Sequence, residues 1–155
     1  MNAASHAITV DLTSKIAHLA VLIRATFVDV QVDLSPWLTD TKTQRQLDPH
    51  SIDLSFYFPK RHVGMECRCI LLQVGFSEGL LQPYCHLTHI EANGYDHTDL
   101  QWMFSTRKGR FSGPCPPNPE YQTRFQEMVN QIFQLFGQPN QVRTYSDYGR
   151  EGLGF

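Results

Sequence analysis

Cysteine is scarce, with four residues in a chain of 155. That is too few for a disulfide scaffold. Cys67 and Cys69 lie two apart on an apparent strand and point the same way, a strained geometry for a mutual bridge, so reduced thiols are expected. Net charge is scarce too: 13 Lys+Arg stand against 15 Asp+Glu, a balance of −2. No segment concentrates enough charge for a nucleic-acid arm or an acidic tail. Long apolar runs are also missing. The most hydrophobic window, 16–28, contains His18 and Arg24 and falls short of the ~20 residues needed to cross a bilayer. Residues 1–6 lack the positive region and apolar run of a secretory leader. The expectation is a cytoplasmic protein with no membrane partner. Glycines are isolated at turns, so no phosphate-cradling loop is present and no cofactor is expected.

What is present is patterned. A 41% hydrophobic, 18% charged composition argues against wholesale disorder, and the length suits one domain over 1–155, with 138–155 as a C-terminal tail. Leu12, Ile16, Leu19, Ala20 and Ile23 fall at helical 3/4 spacing over 11–25, with Asp11, Thr13 or Ser14 as candidate caps. The period then becomes two. Val28, Val30, Val32 and Leu34 predict a strand ended by Ser35-Pro36. The polar stretch 35–51, which holds Trp37, either hides a short helix near 40–47 or serves as a flap.

Alternation predicts further strands over 52–58, 65–76 and 84–91, the last closed by the turn signal Asn93-Gly94. Leu100, Trp102 and Phe104 predict a fifth strand, and Arg107-Lys108-Gly109-Arg110 a hairpin into a short sixth. Residues 113–117 read as extended, polyproline-like chain. Asn118-Pro119-Glu120 starts a second long helix, lined by Tyr121, Phe125, Met128, Val129, Ile132 and Phe136 and ended by Gly137 and Pro139. The tail contributes Tyr145, Tyr148 and Phe155 without an apolar period.

The fold class is therefore α+β: an antiparallel five- to six-stranded meander flanked by an N-terminal and a C-terminal helix packed on one face. Two helices leave the other face open. Tyr57, Cys67, Cys69, Leu71, Gln73 and Met103 are expected there, too polar for a core and too apolar for a purely solvated surface. Such a face marks a protein partner or a homodimer, unless 35–51 or the tail folds over it.

Catalytic chemistry has less support. Meander topology gathers His62, Asp96, His97 and Asp99 at one rim, near strand ends bearing Cys67, His89 and Glu91. Imidazole, carboxylate and thiolate are metal-ligand types, so a small metal-dependent hydrolase using His62, His89, Glu91, His97 and Asp99 is the alternative. Cys67-x-Cys69 and Cys85-His86-x-x-His89 nevertheless match no zinc spacing. Cys115 precedes the second helix, but prolines flank it and suit a spacer better than a nucleophile. The basic clusters Lys60-Arg61 and Arg107-Lys108-Arg110 belong to turns at opposite ends of the meander, which argues against one nucleic-acid footprint. The expected activity is therefore non-enzymatic: an adaptor, assembly factor or regulator acting through the open face.

Overall fold

A computed structural model describes residues 1–136; the tail and the helix stop at Gly137 and Pro139 lie outside the described residues. The chain forms a six-stranded antiparallel sheet in the order of the sequence, with two long helices on one face. The α+β meander expected from periodicity is thus the observed fold.

The first helix, α1 (Val10–Thr26), buries Leu12, Ile16, Leu19 and Ile23. Its cap lies earlier than expected. Thr9, in extended conformation, accepts from the Leu12 N–H, so the helix starts ahead of Asp11, Thr13 and Ser14. Phe27 ends it, buried between Phe56 (ring centroids 5.7 Å apart) and Phe58 (5.8 Å).

The next strand is shorter than the alternation over 28–34 implies. Asp29 is left-handed (φ 66°) and Val28 is exposed, so pairing begins only at β1 (Gln31–Asp33). A helix must reverse onto its sheet here, and that turn consumes the first two positions of the run. Residues beyond β1 leave part of the neighbouring strand's edge free, and the N-terminal residues fill it: Asn2 bridges to Asp53 in parallel, and Asp53 N–H donates to Met1 O at 2.9 Å. The 35–51 stretch holds a short, wholly unburied helix, α2 (Thr41–Gln46), capped by Asp40.

The central strands follow: β2 (Ser51–Tyr57), β3 (Cys69–Phe76), β4 (Leu87–Asp96), β5 (Asp99–Ser105) and β6 (Arg110–Ser112). Two boundaries move relative to the sequence reading. Residues 65–68 do not join β3, because Gly64 (φ 93°) and Glu66 (φ 62°) bend the chain out of the ladder. Asn93-Gly94 is not a turn. It lies within β4, opposite Met103 and Trp102, and the reversal falls at His97, itself left-handed (φ 55°). Gly94 is glycine for packing: a methyl group there would overlap the Trp102 indole, the close approach that a glycine inside a strand often marks.

The core lies between sheet and helices. Ile52, Leu54, Phe56, Ile70, Leu72, Val74, Ile90 and Trp102 are fully buried on the inner face. The last helix, α3 (Pro119–Phe136), buries Phe125, Met128, Val129, Ile132 and Phe136 against them. Its start is as read: Asn118 Oδ1 accepts from the Tyr121 N–H at 3.0 Å. Phe111 holds the short β6 down by packing on Trp102, Phe104 and Phe125.

Candidate functional site: the open sheet face

Strand register decides which side chains share the face away from the helices. One complete row crosses it: Asp33, Ser55, Leu71, Asn93, Met103 and Ser112, each paired with the next. Tyr57 pairs with Cys69 on one side of this row, and Gln73 with Asp53 and Glu91 on the other. Five of the six residues expected on the face are therefore there. Tyr57 is 42% and Met103 39% exposed, while Cys69, Leu71 and Gln73 are half-buried.

Cys67 is the exception. It precedes β3 and is buried with the core (5% exposed), because the chain bends at Arg68, so the strand's alternation starts at Cys69 and does not extend back to Cys67. Burial pushes its thiol up to about 12, against a partly compensating hydrogen bond with Trp102. Burial also raises Cys69. A thiol held protonated is a poor nucleophile and a poor metal ligand at neutral pH.

One corner of the face is closed. Asp53 points to this side yet is 1% exposed. Its Oδ2 accepts from Trp37 Nε1 at 2.7 Å and its Oδ1 from Ser51 Oγ at 2.8 Å, and the Met1 amino group lies 2.8 Å from Oδ2. The 35–51 segment thus covers a corner rather than the whole face. Trp37 is tied further by Asn2, which accepts from its N–H and donates to its carbonyl. Sequence reading missed Asp53 as a buried centre, because it falls with Ser51 and Ser55 on the polar side of an alternating strand.

At the other edge of the sheet, on the row that runs Asp53, Gln73, Glu91, Ser105, Arg110, the corner is basic. Arg107, Lys108 and Arg110 border a shallow groove of ≈ 240 Å³ whose lining includes Met103 and Ser112. Arg107 is engaged within the fold: its Nη2 donates to His89 Nδ1 at 3.0 Å, and its Nη1 lies 4.0 Å from Glu91. Lys108 and Arg110 make no ion pair among the described residues.

The rim set divides. His62, Cys67, Asp96 and His97 do line one polar cleft of ≈ 210 Å³, together with Arg61 and Arg68, as turn topology implies. His89 and Glu91 are at the other end of the sheet beside Arg107, because β4 runs on through Asn93-Gly94. Asp99 is exposed and does not line the cleft. His62, His89, Glu91, His97 and Asp99 therefore do not converge, and among the described residues no three His, Cys, Asp or Glu side chains stand together as a metal site. Arg68 is structural: it donates to Phe58 O (3.2 Å) and Pro59 O (3.0 Å), clamping the end of β2. Cys115 is exposed, ahead of α3.

No described helix is long and apolar enough to cross a membrane. A family model described as a domain of unknown function matches residues 4–138, nearly all of the fold described above. No curated protein and no solved structure matches the chain.

Proposed function

The chain belongs to a family described as a domain of unknown function, and we propose that it works there as a non-enzymatic cytoplasmic interaction module, an adaptor, assembly factor or regulator that docks a protein partner on its open sheet face. The observation that carries this reading is the central row in which Leu71 and Met103 stand among Ser55, Asn93 and Ser112. Tyr57 stands beside that row, and both long helices lie on the other side. A mixed apolar and polar face with aromatic and Met side chains has the composition of the core of a protein interface. Among the described residues no catalytic set accompanies it: His62 and His97 stand at one end of the sheet and His89 at the other, and Cys67 and Cys69 have raised thiols.

Site-specific photo-crosslinking tests the reading. A photoreactive amino acid at Met103 should give a discrete adduct in the native cell, whereas the same group at Val21, exposed on α1, should not. Leu71→Asp and Met103→Asp should abolish the adduct while the protein stays folded, since substitutions at such partly exposed sites change stability by about 1 kcal/mol or less. Adducts at Val21 equal to those at Met103, or unfolding of both aspartate variants, would overturn it.

A further inference from the structure

We infer that the partner presents an extended acidic segment, which lies along β6 and puts carboxylates on the Arg107–Arg110 hairpin and an apolar side chain in the groove over Met103. This rests on the reading of the open face as the docking surface and adds the chemistry of what docks there.

Three observations converge on the β5–β6 corner. The first is charge. Arg107, Lys108 and Arg110 crowd one hairpin, and among the described residues Glu91 is the single carboxylate on the groove they border. Glu91 already lies near Arg107, so among the described residues no ion pair compensates Lys108 or Arg110. The second is an open edge. β6 is the last strand of the sheet, and an edge strand offers unpaired N–H and C=O groups to an incoming extended segment. The third is the groove itself, in which Met103, paired with Ser112, supplies a deformable apolar floor.

A second copy of the chain fits this corner poorly. β6 has three residues, about 10 Å of strand. Edge-to-edge pairing of two copies would bring two trios of cations to about one Debye length, where repulsion is only partly screened. The same cations that discourage self-pairing favour an acidic complement. Nucleic acid is also a poor fit, because the second basic turn, Lys60-Arg61, sits at the far end of the sheet and continues no track from this one.

Fluorescence anisotropy with two labelled heptapeptides tests the inference, one alternating glutamate with leucine and the other alternating lysine with leucine. The full chain should bind the glutamate peptide at least about tenfold more tightly than the lysine peptide. Raising salt from about 50 to about 300 mM should weaken that binding. Lys108→Glu/Arg110→Glu should reverse the preference, and Met103→Asp should weaken the glutamate peptide, with circular dichroism showing that each variant is folded. Equal affinity for the two peptides, no binding of the glutamate peptide, or a preference unchanged in the double variant would each overturn the inference. So would an oligothymidylate that displaces the glutamate peptide. The photo-crosslink at Met103 separates the two levels: an adduct without acidic preference removes this inference and leaves the docking face, whereas no adduct removes both.

Discussion

Trp37 and Asp53 meet at a corner of the open face, the indole Nε1 donating to the carboxylate Oδ2 at 2.7 Å. The carboxylate is nearly inaccessible and also accepts from Ser51 Oγ. Asp53→Ala would strand the buried Ser51 hydroxyl and the part-buried Trp37 indole and would leave the partly exposed Met1 amino group without its carboxylate, and should cost about 1–3 kcal/mol. Trp37→Phe removes one donor while keeping most of the ring, and should cost about 1–2 kcal/mol. Urea unfolding of both variants and their double mutant measures the coupling. Additive losses would mean that the two residues stabilise the fold independently.

The Asp53 corner shows where sequence reading stops. Period-two alternation makes β2 legible and puts Asp53 on the side away from Ile52 and Leu54. Burial of that side depends on Met1, Asn2 and Trp37 arriving from distant parts of the chain, which no local pattern encodes. Cys67 fails for a related reason. Its spacing from Cys69 is right for one face, but the chain bends at Arg68 between them, ahead of the strand, and the alternation does not reach Cys67. The helices were the most legible elements, since a 3.6-residue stripe and an Asn-Pro-Glu start are local signals. The open face was legible as a set because Tyr57, Leu71 and Met103 keep strand parity. Its basic corner was visible only as a hairpin sequence, without the groove beside it.

Gly94 gives a test in which two effects oppose. Replacing glycine in a strand with alanine lowers the entropy of the unfolded chain and often gains about 0.4–1 kcal/mol. At Gly94 the added methyl would overlap the Trp102 indole, whose Nε1 donates to Met65 O at 3.2 Å. Overpacking of this kind costs about 1–3 kcal/mol, so Gly94→Ala should be destabilising and should alter the near-UV signal of Trp102. At Gly79 the nearest atom to an added methyl is 3.7 Å away, on the flexible Gln82 side chain. Gly79→Ala should therefore be neutral or stabilising. Thermal melts of the two variants moving in the same direction would refute this account of Gly94.

His6 should give the fold an acid limb. It is buried, and its Nε2 lies 2.8 Å from Ser51 O. Burial lowers its pKa below the ordinary value of 6.5, with the hydrogen bond to Ser51 opposing. Below about pH 6.5 the unfolded chain therefore binds a proton that the folded one resists, and stability falls as pH falls through that region. His6→Gln keeps an N–H donor for Ser51 O and cannot titrate there. Urea midpoints between pH 7.5 and 5 should fall less steeply for the variant. Parallel curves would place the acid sensitivity elsewhere.

Cys67 predicts the opposite limb. Burial beside Trp102 raises its thiol from 9.0 to about 12, so at neutral pH it is protonated in both the folded and unfolded chain and exerts no pH-dependent effect. As pH rises past about 9, the unfolded chain releases this proton while the folded chain keeps it. Unfolding is then favoured progressively until the folded thiol also ionises near 12. Cys67→Ala removes this contribution at the cost of a small cavity, which lowers stability by a roughly pH-independent amount. The difference between wild type and variant should therefore shrink from pH 8 to pH 11. The same burial governs reactivity: iodoacetamide at pH 8 should modify exposed Cys115 promptly and leave Cys67 unmodified until urea opens the fold, because the reagent requires both access and thiolate. Modification of Cys67 at the rate of Cys115 would show that the 64–68 turn opens freely in solution, and the burial that raises the thiol would then be transient.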